Sequence, residues 1–177
     1  IRLSLVGSEM CIRDSFRPVT SLTIYADYLL YDDWAPGYHV TNLTLFAGML
    51  ALAFWLYRAL GAPRGAALWA LALLALEDNH SLPVGWVANR NAMVAGIFLI
   101  ATLLAADRYC RTRRPGYLAL SLLLFLLGCG SKESAVAALP LVAAYLFFFA
   151  RPAPHLPARQ AFGRMVRSPI LWAFALV

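Results

Sequence analysis

Charge is scarce in this sequence. Asp, Glu, Lys and Arg make up 14% of its 177 residues, against about 25% in ordinary soluble domains. Acidic residues are the rarest of these, nine against fifteen basic ones, for a net charge of +6. The basic residues form no stripe interleaved with aromatics, so the excess does not point to nucleic acid. There are three cysteines, Cys11, Cys110 and Cys129. Their number and scatter supply neither a disulfide framework nor a metal motif. The histidines show no HxxxH or HxxE spacing, which leaves a zinc site without support. No internal repeat or low-complexity tract is present. Residues 1–15 have no signal-peptide architecture; the string SLVGSEMCIRDS looks like translated sequencing-adapter read-through and is set aside as a non-native lead.

What the chain has instead is hydrocarbon. Hydrophobic residues are 62% of the total and the mean hydropathy is +0.67, which predicts an all-α, polytopic integral membrane bundle. About 20 apolar residues are needed to cross roughly 30 Å of hydrocarbon as a helix. Helices are expected over 39–60, 66–76, 84–106, 117–130 and 135–150, the last with a kink at Pro140. A sixth begins at 169 and is cut at 177. The second is short, and either borrows flanking residues to cross or is re-entrant. Residues 16–38 are too polar to span. Tyr25, Tyr28, Tyr31 and Trp34 recur every three residues there, which suits either a helix lying at headgroup level or a packed loop. Pro36-Gly37 is expected to end it. The organisation is then a lead at 1–15, an extracytoplasmic interfacial segment at 16–38, the bundle at 39–150, a basic cytoplasmic loop at 151–168 and the truncated helix at 169–177.

The arginines orient this bundle. The loops holding Arg58 and Arg64, Arg108 to Arg114, and Arg151 to Arg167 carry ten of the fifteen basic residues. By the positive-inside rule they face the cytoplasm. The remaining polar stretches then fall on the other side: His39 and Asn42, the run EDNHSLPVGWVANR at 77–90, and Lys132-Glu133.

On that outer face Arg90 and Lys132 are scarce cations. Either they hold a phosphate or diphosphate, the arginine by its planar fork and the lysine as a point charge, or Arg90 snorkels and Lys132 pairs with a nearby carboxylate. His39 and His80 could each bond a sugar hydroxyl, shuttle a proton, bind metal or serve the structure alone. Asp32, Asp33, Glu77 and Asp78 are candidate general bases, or simply solvated loop charge. Asn42-Leu43-Thr44 and Asn79-His80-Ser81 match the glycosylation acceptor pattern, close to the membrane.

Arg17-Pro18, followed by Tyr38-His39-x-x-Asn42, resembles the "RPL…YHxxN" stretch of polytopic GT-C class glycosyltransferases that use lipid phosphosugars. The similarity is to the O-mannosyltransferase-like proteins that carry C-terminal tetratricopeptide repeats. Asn79 to Arg90, NHSLPVGWVANR, is similar to the latter part of their "HPxHxEPVAWIxGR", with His80, Pro83, Val84, Trp86 and Arg90 in register. Ser131-Lys132-Glu133-Ser134 looks like their "SKE(T/S)". Leu82 stands where the family has Glu, Glu77 and Asp78 replace its first His-Pro, and Phe46 stands where a second His often follows the Asn. These departures remove support for an acid or metal role in this loop.

The resemblance implies an enzyme fragment. Its parent would move a sugar, mannose or another hexose, from a polyprenyl-phosphate donor to a hydroxyl of a protein or glycan, inverting the anomeric carbon. The catalytic carboxylate is expected upstream of Phe16. Arg90 and Lys132 would bind the donor phosphate; His39, Asn42, Asp78, His80, Trp86 and Glu133 would position donor or acceptor. No cofactor is assigned, although a divalent ion would suit the chemistry. A bacterial inner membrane or an ER-like membrane would house it. A transporter or flippase for a lipid-linked sugar and a non-catalytic membrane subunit are the alternatives.

Overall fold

The computed structural model describes residues 17–77, 84–149, 163 and 166–176. Among them every regular element is helical. We label the helices α1 (Pro18–Tyr31), α2 (Ala35–Ala59), α3 (Arg64–Leu76), α4 (Arg90–Thr112), α5 (Pro115–Cys129), α6 (Ala138–Phe148) and α7 (Pro169–Ala175). Short 3₁₀ turns, Val87–Asn89 and Glu133–Ala137, lead into α4 and α6.

Two spans, Ala35–Ala59 and Val87–Thr112, are long and apolar enough to cross a membrane. Arg64–Leu76, Pro115–Cys129 and Glu133–Phe148 are apolar but shorter. At 1.5 Å per residue α3 covers only about 20 Å. The lead at 1–15 and most of the basic loop at 151–168 lie outside the described residues.

The sequence expectations shift at three boundaries. Pro36-Gly37 does not end the first helix; it opens the second. Pro36 sits in the first turn of α2, where its missing N–H would have had no helical partner. The break comes earlier, at Asp32-Asp33-Trp34, with Asp32 at a φ of 48°. There the Tyr31 ring packs so tightly on Gly37 that any Cβ would overlap it. Second, α4 continues through Asp107, Arg108 and Arg111 to Thr112, where Asp107 and Arg111 pair with each other and with partners on α6 and α2. Third, Pro140 lies in the first turn of α6. The change from 3₁₀ to α geometry just before it occupies the place where a kink was expected.

Two sets of contacts fix the direction of travel. Asn42, early in α2, bonds Arg90 at the start of α4. Ala59, the last residue of α2, accepts from Arg111 near the end of α4. Hence α2 and α4 run parallel, and residues 60–89, including α3, must carry the chain back along the length of α4. Helix α5 returns antiparallel to α4, with Ser121 Oγ donating to Thr102 O. Helix α6 then runs back until Tyr145 reaches Asp107. Thus Arg17, Tyr38, Asn42, Arg90 and Ser131 gather at one end, and Arg58, Arg108 and Arg111 at the other. Helix α1 lies across the first end. Its Val19 N–H donates to Gly130 O, and further along it Asp27 accepts from Thr41 of α2.

Beside an apolar core, several charged and polar side chains are buried and many large apolar ones exposed, against the usual habit of a soluble protein. Arg90, Asp27, Asn42, Asp107, Thr102 and Ser121 are buried, while Leu22, Leu29, Leu30, Trp55, Trp69, Leu73 and Leu123 are exposed. In α1 the polar Thr20 and Asp27 face inward and Leu22, Tyr25 and Leu29 outward. Between the ends, α4, α5 and the 3₁₀ turn before α6 close on small residues: Gly128 would place a Cβ 3.2 Å from Ala135 Cβ and 3.3 Å from Phe98 Cβ. Small residues allow such backbone approach where hydrophobic burial cannot drive association. A second core, with Phe125, Val142, Tyr145, Ile170 and Phe174, ties α7 to α5 and α6.

Gly128→Leu is expected to destabilise the bundle by about 1–3 kcal/mol through overpacking. Gly48→Leu, where a Cβ meets open space, should leave stability unchanged. Unfolding midpoints in detergent measure both; equal midpoints would show that α4 and α5 do not close on Gly128.

Candidate functional site

The site forms around Arg90, which is fully buried at 0% exposure. A buried guanidinium requires counter-charge and acceptors for its donors. Here all three nitrogens are occupied. Nη2 lies 2.6 Å from Asp27 Oδ2 and donates to Tyr38 O at 3.1 Å. Nε donates to Asn42 Oδ1 at 2.5 Å, and Nη1 to Thr23 O at 3.4 Å. Asp27 is 3% exposed and its second oxygen accepts from Thr41 Oγ1 at 3.0 Å. One arginine therefore joins α1 by Thr23 and Asp27, α2 by Tyr38 and Asn42, and its own helix α4.

A neighbouring set of contacts ties the start of α1 to the turn after α5. Thr20 Oγ1 donates to Ser131 O at 3.2 Å, and Ser131 Oγ donates to Leu127 O at 2.8 Å. Arg17 Nη2 lies 3.3 Å from Glu133 Oε2. The Glu133 carboxyl is held below its usual range by its own backbone N–H first and by Arg17 second. Asn42 Nδ2 donates to Val84 O at 3.1 Å, which fixes the chain entering α4. Segments 17–20, 38–42, 84–90 and 131–133, distant in sequence, thus meet in one region.

The individual candidates divide within it. Asn42 is buried and its amide is committed, which also removes it as a glycosylation acceptor. Arg90 is not an open cation: its donors are directed at protein acceptors. Lys132 is half-buried, and its side chain makes no hydrogen bond or ion pair with the described residues. His39 is exposed next to Tyr38. Trp86 is 62% exposed just before the 3₁₀ turn. Glu133 is exposed and paired with Arg17. Asp32 and Asp33 are exposed, and Asp32 O accepts from Tyr38 Oη at 2.9 Å. Asp78 and His80 lie outside the described residues, and Glu77 closes α3. Among the described residues no three His, Cys, Asp or Glu side chains converge as a metal ion requires.

Two groups escaped the sequence reading. Asp27 looked like one more carboxylate in an aromatic segment. Its signal was the spacing Thr20, Thr23, Asp27, a polar stripe at helical period on an otherwise apolar helix. Asn91, beside Arg90, is 4% exposed and its Oδ1 has no hydrogen-bond partner among the described residues.

Buried charges paired at the ends, exposed apolar side chains and two spans of membrane length are consistent with a helical membrane protein. The chain is similar to protein O-mannosyl-transferases. It is 34% identical over 132 residues to protein O-mannosyl-transferase Tmtc2 of Drosophila melanogaster, covering 71% of this chain and 14% of the relative. It is 30% identical over 125 residues to Tmtc1 of the same organism, covering 71% and 15%. To human TMTC3 it is 26% identical over 150 residues, covering 81% and 16%. The chain thus spans about one-seventh of the length of these curated relatives. No protein-family model matches the chain, and no solved structure does.

Asp27→Ala leaves a buried guanidinium without its counter-charge, a class of change that costs about 3–5 kcal/mol. We expect α1 to detach, read as new protease cleavage between residues 17 and 34. Asp27→Ala combined with Arg90→Leu should recover part of the loss. Equal damage in the single and double variants would show that the pairing of charges is not what holds α1.

Proposed function

We propose that this chain is the motif-bearing part of a membrane glycosyltransferase. It would transfer mannose or another hexose from a polyprenyl-phosphate donor to a hydroxyl of a protein or glycan. In this reading α2 to α6 cross the bilayer and α7 begins a further crossing. The Arg90 end faces the extracytoplasmic side of a bacterial inner membrane or an ER-like membrane. The short α3 crosses by placing its polar flanks among headgroups. Arg90 and Asp107 are separated by about 25 Å along α4, near the thickness of the hydrocarbon, with their charges paired at both levels.

The observation that carries the proposal is the convergence of α1, the start of α2 and the start of α4 on one buried ion pair, with the 131–133 turn held beside it by Thr20 and Arg17, in a chain whose curated relatives are protein O-mannosyl-transferases. Helix packing alone needs no such assembly of Arg90, Asp27, Asn42 and Tyr38. It gives a rigid floor on which exposed groups can be held, and catalysis by positioning requires that.

On that floor Lys132 is the cation with donors to spare. It takes the donor phosphate and neutralises the charge that grows on it as the sugar leaves. A base removes the proton from the acceptor hydroxyl, the oxygen attacks the anomeric carbon, and the bond from that carbon to the phosphate oxygen breaks with inversion. Trp86 and His39 border the sugar and acceptor. Glu133 and Arg17 hold the Lys132 turn against α1. Arg90 is a positioning residue in the observed arrangement and would reach a phosphate only by releasing Asp27. A transporter would place its polar binding groups near mid-membrane; here the buried charges lie at the two ends.

A polyprenyl-phosphate mannose with a photoreactive isoprenoid should label the chain in proteoliposomes. Lys132→Ala should reduce labelling at least about ten-fold, the scale of a lost charge-assisted contact, and Lys132→Arg should retain most of it. Undiminished labelling of the alanine variant would remove the phosphate assignment. Orientation is tested separately. With the native cysteines changed to Ser, an impermeant maleimide applied from outside should modify His39→Cys and Glu133→Cys but not Arg113→Cys. Modification of all three from one side would end the spanning arrangement.

A further inference from the structure

At the end of the bundle opposite Arg90, a cavity of about 660 Å³ opens between α2, α4 and α5. This is within the range of small-molecule sites, about 300–1,000 Å³. Its lining has an order that helix geometry explains. Arg58, Trp55 and Leu52 follow one face of α2; Arg108, Leu104 and Ala101 one face of α4; Tyr117, Leu120 and Leu124 one face of α5. Each series begins at a polar residue and becomes apolar inward. From Arg58 to Leu52 the depth is about 9 Å, and from Tyr117 to Leu124 about 10 Å. The result is a groove with two guanidinium groups and a phenol at its mouth and an apolar interior.

The two arginines have unspent donors. Arg58 uses Nη1 on Ala62 O at 2.6 Å. The Arg108 side chain makes no hydrogen bond or ion pair with the described residues. The nearby carboxylate does not neutralise them. Asp107 is buried and committed to Arg111 at 2.8 Å and to Tyr145 Oη at 2.6 Å. A second cavity of about 340 Å³ nearby, among Leu56, Leu99, Leu141 and Phe148, has no charged residue in its lining. Of these two cavities, only the first has charge at its mouth.

We propose that this groove is a binding site for an anionic glycerophospholipid, with the headgroup phosphate between Arg58 and Arg108 and one acyl chain along Trp55, Leu104 and Leu120. Arginines bind phosphate oxygens through paired donors. Basic pockets between helices on the positively charged side of a membrane protein recognise such lipids. A neutral zwitterionic lipid would offer the same acyl chain without the net charge that matches the mouth. The site would tie the lipid composition of that leaflet to the packing of α2, α4 and α5, the helices that position Asn42 and Arg90 at the far end. The inference rests on the bilayer placement above and not on sugar transfer.

Trp55 lines the groove and is 62% exposed, whereas Trp69 on α3 is 75% exposed and outside it. Two single-tryptophan forms of the 177-residue chain, with the other four changed to Phe, are reconstituted in vesicles. The vesicles contain phosphatidylcholine with a minor fraction of either brominated phosphatidylglycerol or brominated phosphatidylcholine. Trp55 should be quenched preferentially by the phosphatidylglycerol and Trp69 equally by both. Arg58→Gln and Arg108→Gln should each weaken the Trp55 preference about five-fold, from about 1 kcal/mol per basic residue at a membrane surface. Equal quenching of Trp55 by the two lipids overturns the proposal, as does a preference that survives both substitutions. Quenching of Trp69 without Trp55 overturns it by showing the groove filled by protein. Quenching of neither would overturn the bilayer placement as well.

Discussion

A guanidinium cannot be removed from water without something to replace it, and most of this structure follows from how Arg90 meets that demand. Its counter-charge comes from Asp27 and its remaining acceptors from Thr23, Tyr38 and Asn42. These residues sit on α1 and α2, so satisfying one side chain determines where two helices lie relative to α4. A buried pair of this kind is a weak source of net stability, because desolvation offsets much of the attraction. Its effect is on alternatives: any arrangement that separates α1 from α4 leaves two buried charges alone.

The opposite end repeats the device with different residues. Asp107, buried in α4, accepts from Arg111 on the same helix and from Tyr145 on α6, and Arg111 also donates to Ala59 of α2. Two polar clamps about 25 Å apart on one helix hold their neighbours at both levels, while Gly128 lets the backbones close between them. In lipid, where burial of apolar surface gives no preference for one neighbour over another, polar pairing and close packing supply the specificity. The two ends differ in what remains unspent. The Arg90 end directs its guanidinium inward and leaves Lys132 available; the other leaves Arg58 and Arg108 at the mouth of an apolar groove. In the readings proposed above, each leftover cation meets a phosphate, one carried by a sugar donor and the other by a structural lipid.

Much of the architecture was legible before any coordinates. Runs such as LTLFAGMLALAFWLY and AMVAGIFLIATLLAA can only be helices in this composition, and α2 and α4 lie where those runs predict. The boundaries were less legible where charge or proline was read by its usual habit. Pro36-Gly37 reads as a stop, yet it starts α2, because proline in a first helical turn forfeits nothing. Asp107 to Arg111 reads as a loop, yet it is helical, with Asp107 and Arg111 received by partners on α6 and α2. The convergence of Tyr38, Asn42, Arg90 and Ser131 on one end followed from alternating helices and the placement of arginines, and the parallel course of α2 and α4 agrees with it.

Residue types and their order determined that the chain is helical and where its apolar runs lie. These depend on local periodicity, which is written along the chain. Which cation is buried and which stays open was decided only by the tertiary structure. Arg90 and Lys132 are equivalent as letters. Arg90 is enclosed because Asp27, fifteen residues before Asn42, lies on a helix folded across the end of the bundle, and only packing in three dimensions brings that carboxylate to it.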